Sequence, residues 1–401
     1  MSRVEELLGK YNPNGVKKII LSSIGDFENI GEDKKTVEGE PLVTLLNYVD
    51  VYHNKTIKKG VPQMTVSSPI NKVDKCSVEQ GDIFITPTSE TVDDIGHSAL
   101  VLETLPQTVY SYHIMRYRLH NVSMTTASYI NQCFESCYVK QQILKKAQGL
   151  TRFGVSKSKF GEIEIPLPHI KVQEEIVKIL DSFTNLIDAL NEELSLRQKQ
   201  FEYYREKLLT FDESNYVNIS SICKRIVSGG TPKTTIDRYY QGNIPWLRTE
   251  EVDFCYVYET KKHITEEAIA NSSTKMIPVN CVIIAMYGAT AAKCCINKIP
   301  LCTNQACCNL EIDDTLALYK FVFYNICKEY EKLKSLGEGS QNNISGQKIK
   351  DYRIPIPSLS IQKSIVEKLD AFESLISSIK EEIALRQKQY EYYREKLLTF
   401  D

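Results

Sequence analysis

The segment Leu196–Asp212, LRQKQFEYYREKLLTFD, occurs again at Leu385–Asp401 as LRQKQYEYYREKLLTFD. The two copies differ only at one aromatic residue, which is Phe201 in the first and Tyr390 in the second. The match extends upstream, and about 26 of 42 positions from residue 171 to residue 212 are identical to those about 189 residues later. This degree of identity indicates an internal duplication.

Each copy has the pattern of a long amphipathic helix. Apolar residues recur at steps of three and four, from Val172 to Leu208 and from Ile361 to Leu397, which is typical of a near-heptad stripe. The upstream segments IPLP and IPIP favour extended backbone and fix where each helix starts. The length and the duplication favour two stalks packed as a coiled coil, although an ordinary core helix has the same stripe. The stripe alone leaves parallel and antiparallel pairing open.

The duplicated tails are more alike than a coiled-coil seam requires, because residues that face outward are copied too. An identical surface present twice can bind the same partner twice. Recent duplication is the alternative explanation for the same identity.

The composition is that of a cytoplasmic protein with more than one domain. The chain has 401 residues, of which 42% are hydrophobic and 25% charged, and it has no apolar run long enough to span a bilayer. The formal net charge of −2 means that a surface for anions must be a local patch. The 12 cysteines lack the spacing of zinc knuckles, so we expect reduced, mostly buried thiols.

The segments outside the repeat match each other poorly, and both predict mixed α/β domains. In the first, LVTLLNYVDVYHN and GDIFITPTSE are strand-forming runs, and SYHIMRYRLHN alternates as a strand with a basic face. The loop TPTSETVDDIGHS is polar and acidic; a solvated loop is favoured over a metal or acid–base site. A shared domain architecture with different loops is the arrangement expected of two modules that recognise two different targets.

The second segment has the more informative motifs. SGGTPKT is a glycine turn rich in hydroxyl groups, and DRYYQGNIPWLRT mixes cations with aromatic residues, which suits contact with phosphates and bases. We expect Trp246, within that stretch, to lie in the core. The amides in CTNQACC can bind adenine in the major groove, although most such amides cap turns.

Motifs of common enzyme classes are absent from the sequence. It has no P-loop, no GxSxG elbow, no HExxH helix and no Asn/Asp-Pro-Pro-aromatic tetrapeptide. The pattern therefore favours a scaffold or a reader over an enzyme.

Two variable α/β domains that alternate with two nearly identical helical regions resemble the specificity (S) subunit of type I restriction–modification systems. SGGTPKT, NIPWLRT, MYGATAAK, TNQACCNL and the stretch from ISGQKIKDYRIPIP onward are similar to a target-recognition domain and the conserved region that follows it. The first domain departs from this motif set and resembles another recognition subtype, which implies a different half-site.

The resemblance implies a fold with two mixed α/β target-recognition domains and two long antiparallel coiled-coil helices, related by pseudo-two-fold symmetry. The predicted boundaries are 1–168 for the first recognition domain, 169–212 for the first helical region, 213–357 for the second recognition domain and 358–401 for the second helical region.

The resemblance also implies a mechanism. Each recognition domain reads half of a bipartite site in double-stranded DNA, and the helices set the number of unread base pairs between the halves. The copied surfaces bind two modification (methyltransferase) subunits, through which restriction subunits join. S-adenosylmethionine, ATP and Mg²⁺ are expected on those partners, with no cofactor, no metal and no catalytic residue in this chain.

The resemblance also carries candidate contact residues. In the second domain the candidates for DNA contact are Thr231, Lys233, Arg238, Arg248, Tyr287, Thr290, Lys293, Asn304 and Gln305. In the first domain they are Thr88, Ser89, Thr91, Arg116 and Arg118, and near the domain–helix junctions Lys157 and Lys348. The candidates for partner binding are Arg197, Lys199, Tyr203, Arg205, Arg386, Lys388, Tyr392 and Arg394.

Two other functions stay open from the sequence. A coiled-coil adaptor that binds only proteins predicts no salt-dependent binding of DNA. A standalone nuclease or methylase predicts turnover by the purified chain.

Overall fold

The computed structural model describes residues 2–338 and 343–400. The chain divides into two units, residues 1–191 with 382–401, and residues 192–381. Each unit therefore contains one sheet domain, the beginning of one long helix and the end of the other. The structure confirms the mixed α/β character of both domains and the presence of two long helices.

The helices are α1 (Ser2–Tyr11), α2 (Tyr48–His53), α3 (Ile70–Lys75), α4 (Ala127–Glu135), α5 (Cys137–Lys146), α6 (Lys157–Gly161), α7 (Ile170–Leu208), α8 (Glu266–Ala270), α9 (Tyr319–Lys328), α10 (Tyr330–Ser335), α11 (Gly346–Asp351) and α12 (Leu359–Leu398). The strands of the first unit are β1 (Lys17–Ile20), β2 (Gly25–Glu28), β3 (Leu42–Leu46), β4 (Thr56–Ile57), β5 (Met64–Ser67), β6 (Ser77–Val78), β7 (Ile83–Ile85), β8 (Thr88–Ser89), β9 (Ser98–Val101), β10 (Leu105–Tyr110), β11 (Met115–Leu119), β12 (Phe153–Gly154) and β13 (Glu164–Leu167). Those of the second are β14 (Tyr216–Asn218), β15 (Cys223–Ser228), β16 (Ile244–Leu247), β17 (Cys255–Val257), β18 (His263–Ile264), β19 (Met276–Ile277), β20 (Val282–Ala285), β21 (Cys294–Asn297), β22 (Leu301–Thr303), β23 (Cys307–Ile312) and β24 (Arg353–Pro355).

The two sheet domains share one topology although their sequences differ. The five-stranded sheet has the order β2-β11-β7-β9-β4 in the first unit and β15-β23-β20-β21-β17 in the second. The four-stranded sheet has the order β5-β3-β10-β6 in one and β18-β16-β22-β19 in the other. The parallel pairs also correspond, since β4–β9 matches β17–β21 and β3–β10 matches β16–β22. Loops that join corresponding strands can therefore be compared directly.

The first predicted strand of the chain is only partly a strand. β3 ends at Leu46, and the side chain of Asn47 then accepts hydrogen bonds from the backbone N–H groups of Val49 and Asp50. Because the Asp50 carboxylate accepts the backbone N–H of Asn47 in return, this capping box starts α2. The run NYVDVYHN is therefore helical from Tyr48 to His53, and the prediction of a strand there was wrong.

In each unit the long-helix segments are antiparallel, because one starts at the sheet domain and the other ends there. In the first unit, Val172 and Ile176 near the start of α7 share a core with Leu397 and Leu398 at the end of α12. Such antiparallel pairing leaves each sheet domain in contact with both long helices.

One aromatic contact shows that this pairing is repeated. The rings of Phe183 and Tyr393 lie 5.4 Å apart in the first unit, and those of Phe372 and Tyr204 lie 5.4 Å apart in the second. The sequence repeat relates Phe183 to Phe372 and Tyr204 to Tyr393. The same helix–helix contact is therefore made twice.

A buried glutamine fixes the start of each long helix. Gln173 donates from Nε2 to the carbonyl oxygens of Pro168 (2.8 Å) and Met124 (3.0 Å), and its Oε1 accepts the Thr125 hydroxyl (2.8 Å). Its counterpart in the second unit is Gln362, which is also fully buried and binds the carbonyl of Pro357 at 2.8 Å. The repeat therefore conserves the join between sheet domain and helix.

Candidate nucleic-acid interface

The second unit has a cavity of about 520 Å³ that brings together predicted DNA-contact residues. Thr231 comes from the glycine segment that follows β15, Arg248 follows β16, and Asn304 and Gln305 form the turn between β22 and β23. The Thr231 hydroxyl donates to Oε1 of Gln305, which orients the carboxamide. Hydroxyl, amide and guanidinium groups thus converge on one concave surface.

The buried tryptophan of this unit supports that cavity from below. Trp246 is 4% exposed, as predicted for a core residue, and its Nε1 donates to the carbonyl oxygen of Gly230 at 3.0 Å. This bond fixes the glycine segment from which Thr231 projects.

The other predicted residues of the second unit lie outside this cavity. Lys233 is exposed, Tyr287 is 39% exposed, and the Thr290 hydroxyl donates to the carbonyl of Thr249 at 2.8 Å. Three cations are held by carboxylates: Arg238 by Glu267 (2.8 Å), Lys293 by Asp253 (2.6 Å) and Lys348 by Glu338. The carboxylate of each pair is exposed to solvent, and such pairs contribute little to stability, so phosphate oxygens can replace these carboxylates.

The first unit has a groove, made of two cavities of about 600 and 500 Å³ that share Thr88, His113 and Arg152. The predicted residues Thr88, Ser89 and Thr91 line the larger cavity, and Lys157 lines the smaller. Sequence reasoning missed three cationic or imidazole side chains of this groove: Lys34, His113 and Arg152. They come from three separate loops, so no sequence motif joins them. For His113 the signal is structural, because its turn corresponds to the turn with Asn304 and Gln305.

One acidic side chain organises a wall of this groove. Asp94 accepts hydrogen bonds from Nε2 of His97 (2.8 Å), the Tyr52 hydroxyl (3.2 Å) and the Ser89 hydroxyl (3.2 Å). Burial raises the pKa of Asp94, but these donors, His97 foremost, outweigh it and hold the pKa below its ordinary value. Because its acceptors are used internally, Asp94 acts as a structural carboxylate that orients Ser89.

The acidic loop does not assemble a metal site. Within residues 2–338 and 343–400, no three His, Cys, Asp or Glu side chains are grouped to hold a cation. All the cysteines have free thiols. Across the same described ranges, no helix has both the length and the apolar character needed to cross a bilayer.

The structure removes Arg116 from the accessible basic face predicted for β11 and pairs Arg118 with a carboxylate. Arg116 is 7% exposed and pairs with Glu28 on the neighbouring strand β2, while its Nη1 donates to the carbonyl of Ser77 at 3.0 Å. Arg118 binds the buried Asp82 through Nε (2.5 Å) and Nη2 (2.7 Å). Since the Arg116 guanidinium is buried and neutralises Glu28 within the domain, we no longer propose DNA contact for Arg116. The Arg118 side chain is 35% exposed, so DNA contact by this residue stays a prediction.

The duplicated helix tails carry matched exposed residues. Leu196 is 59% exposed and its counterpart Leu385 is 56% exposed, while Tyr203 and Tyr392 are 59% and 60% exposed. Lys199 and Lys388 are exposed as well. Leucine and tyrosine seven residues apart lie on one face of a helix, so each unit presents the same mixed apolar and basic strip.

Predicted arginines of the tails are used differently. Arg197 pairs with Glu193 at 3.4 Å and Arg386 with Glu382 at 2.7 Å, one helical turn away in both cases. These arginines therefore stay at the surface in equivalent positions.

The other two tail arginines are not equivalent in the structure. The Arg394 side chain is 11% exposed and approaches Glu135 at 3.9 Å. Nε of Arg205 is buried without a hydrogen-bond partner among the described residues. The leucine–tyrosine strips and the arginines Arg197 and Arg386 are thus presented alike in both units, whereas Arg205 and Arg394 are not.

Glu135 at the end of α4 carries a charge inside the first unit. Burial raises the pKa of Glu135, but Lys140, Lys55 and Arg394 outweigh it, so the net pKa lies below the ordinary value for glutamate. The carboxylate therefore contributes to stability while it is ionised.

Almost the whole chain matches the profile of one protein family. The profile of the type I restriction modification DNA specificity domain matches residues 17–196 and again residues 212–385. The chain belongs to this family, and it contains the domain twice.

Individual relatives agree with this placement. The chain is 36% identical over 264 residues to the type I restriction enzyme EcoR124I/EcoR124II specificity subunit of Escherichia coli. The aligned region covers 61% of this chain and 65% of that protein. It is similar in fold to the S subunit from M. genitalium, with a TM-score of 0.58, 14% identity and 96% of each chain covered. The HsdS subunit from Thermoanaerobacter tengcongensis gives a TM-score of 0.51, 15% identity, and 96% and 97% coverage. These two structures confirm the fold.

Proposed function

We propose that this chain selects the DNA sequence for a type I restriction–modification complex, in which each sheet domain binds one half of a bipartite site. The observation that carries the proposal is one topology used twice with different groove residues. Asn304, Gln305 and Arg248 converge in the second unit, whereas Lys34, His113 and Arg152 do so in the first. Equal frames with unlike grooves are what recognition of two different half-sites requires.

The long helices are proposed to set the number of unread base pairs between the two half-sites. Support comes from the joins at Gln173 and Gln362, which fix each helix to its sheet domain through buried hydrogen bonds. A rigid join transmits the length of the helices to the distance between readers, as half-site spacing follows protein geometry in dimeric DNA-binding proteins.

The matched strips on the tails are proposed to bind two modification subunits, one per strip, and restriction subunits are proposed to join through them. Leu196 with Tyr203, and Leu385 with Tyr392, supply apolar anchors, and Lys199 and Lys388 supply charge. A large exposed aromatic side chain flanked by charge is common at protein interfaces.

We propose no catalytic group for this chain, and S-adenosylmethionine, ATP and Mg²⁺ are assigned to the partner subunits. The purified chain is therefore expected neither to methylate nor to cleave DNA. Turnover by the chain alone would contradict this assignment.

The experiment that tests the function is methylome sequencing of a strain with and without this chain, in the presence of its modification subunit. Loss of one bipartite methyladenine motif is expected when the chain is removed. An unchanged methylome, together with no salt-dependent binding of a DNA fragment, would instead favour a protein-binding adaptor.

A further inference from the structure

The turn between β10 and β11 in the first unit corresponds to the turn between β22 and β23 in the second. Both turns join the four-stranded sheet to the five-stranded sheet. Each follows a strand that pairs in parallel with a neighbour, β10 with β3 and β22 with β16. The first turn presents Tyr112 and His113, and the second presents Asn304 and Gln305. The same place in the fold thus carries different hydrogen-bonding side chains.

A glycine packed against each turn supports this correspondence. A Cβ atom on Gly31 would lie 2.5 Å from the backbone nitrogen of Tyr112, and one on Gly229 would lie 2.2 Å from the carbonyl oxygen of Asn304. The segment after β2 and the segment after β15 therefore pass against equivalent turns at a distance that only glycine permits.

Backbone hydrogen bonds hold the first turn in place. The Glu32 N–H donates to the carbonyl of Tyr110 at 2.7 Å, and the Tyr112 N–H donates to the carbonyl of Glu32 at 3.1 Å. The His113 N–H donates to the Ser111 hydroxyl at 3.3 Å. A turn fixed from both sides presents its side chains in one orientation, which a reader of base edges needs.

His113 occupies the centre of the first unit's groove. It lines both cavities, together with Thr88 and Arg152, and its ring centroid lies 4.0 Å from that of Tyr112. Neither ring nitrogen has a hydrogen-bond partner among residues 2–338 and 343–400. The histidine is half-buried, so this unused hydrogen-bonding capacity faces the groove rather than the core.

We infer that His113 reads a base edge in the first half-site, at the place where Asn304 and Gln305 read one in the second. This inference rests on the proposed function. A neutral imidazole has one donor and one acceptor nitrogen, so it distinguishes base edges as the carboxamides do.

The surroundings of His113 favour that neutral form. Burial lowers the pKa of His113, Arg152 and Lys34 lower it further, and only Asp33 opposes them. Lys34 and Arg152 are themselves exposed at the groove and are suited to phosphate contacts. The groove thus combines the neutral imidazole of His113, which is suited to a base edge, with two cations that are suited to the phosphate backbone of DNA.

The test compares methylomes of strains that carry His113→Ala, His113→Gln or Gln305→Ala in the intact complex. The His113 variants are expected to relax or alter the base preference at one position of the first half-site, by roughly tenfold or more, and to leave the second half-site unchanged. Gln305→Ala is expected to do the reverse. The matched control is His120→Ala, which removes a different histidine of the first unit; His120 is exposed and pairs with Asp26 outside the groove.

A second measurement separates base reading from general weakening. Binding of each purified complex to specific and unrelated duplexes is measured against salt concentration. Loss of a base contact lowers the preference between duplexes and leaves the salt slope unchanged, because phosphate contacts remain.

The outcomes are distinguishable. An intact first half-site in the His113→Ala and His113→Gln strains, or a change in the second half-site, overturns the inference. If the His113 variants lose affinity equally for all duplexes, the inference is also overturned, since that result indicates a structural role for His113. Absence of any bipartite motif with the unmodified chain overturns the proposed function instead.

Discussion

Replacing Gln362 by leucine should weaken the second unit at the join between its sheet domain and α12. Gln362 is fully buried, and its Oε1 accepts the backbone N–H of Leu318 at 2.8 Å. Its Nε2 donates to the carbonyl oxygens of Pro357 (2.8 Å) and Leu316 (3.2 Å). Leucine has a similar volume but cannot satisfy any of these three backbone groups.

The magnitude follows from those three groups. A buried backbone group left without its partner costs about 1–3 kcal/mol, and the carbonyl of the half-exposed Leu316 can recruit water. The expected loss in the free energy of unfolding is therefore about 3 kcal/mol. For a unit of this size, that loss lowers the midpoint of urea unfolding by about 1 M.

The assay uses the only tryptophan of the chain, Trp246, whose fluorescence reports on the second unit. Gln362→Leu should shift this transition, whereas Gln173→Leu, the equivalent change in the first unit, should shift it much less. Gln198→Leu on the exposed face of α7 is the matched control, with an expected effect within about 0.5 kcal/mol. A Gln362→Leu transition within 0.5 kcal/mol of the parent chain would refute the reasoning.

Three further outcomes follow from the structure. Leu196→Glu or Leu385→Glu alone should leave one modification subunit bound per chain, and both substitutions together should leave none. Mass photometry of the assembled complex measures this number. Full assembly with the double variant would exclude these strips as the binding sites for modification subunits. Trp246→Ala should destabilise the second unit by about 3–5 kcal/mol, measured by the loss of circular dichroism in urea, because it leaves a cavity and an unpaired Gly230 carbonyl. Glu135→Gln should be less stable than the parent at pH 7. The difference should begin to shrink as the pH falls below the ordinary glutamate pKa of about 4 and should vanish below the depressed pKa of the folded chain. A difference that does not change with pH would contradict this.

The long helices could be predicted from the sequence because their signal is periodic and occurs twice. The helices run from Ile170 to Leu208 and from Leu359 to Leu398, close to the ends of the predicted helical regions. The heptad stripe contains no information on direction, and the antiparallel pairing was predicted only from the family resemblance. The contact of Phe183 with Tyr393 confirms it.

The common topology of the sheet domains was beyond the sequence pattern. Many strands have only two to four residues, such as Thr56–Ile57 and Met276–Ile277, too few for an alternating pattern to be recognised. Their parallel pairs join strands that are distant in the chain. The sequence predicted that the two domains share a frame, and the structure confirms it. The strand order and the parallel pairs of that frame come from the structure alone.

The candidate site was predicted better in the second unit than in the first. One cavity of the second unit contains Thr231, Arg248, Asn304 and Gln305. Three of these residues could be predicted because glycine and amide motifs mark the turns that carry them. On β11, the alternation that predicted a basic face does not show that Glu28 from a neighbouring strand neutralises Arg116. Charge pairing across a sheet depends on strand order, which is a tertiary property.

The central claim is that each sheet domain reads its own half of one DNA site. The most direct measurement is the methylome of a strain in which residues 17–167 are replaced by a second copy of residues 216–356. Both ranges begin at the first strand of their domain and end at positions that the sequence repeat relates to each other. The account predicts a motif made of the second half-site twice, in inverted orientation. Retention of the original first half-site in that strain would contradict it.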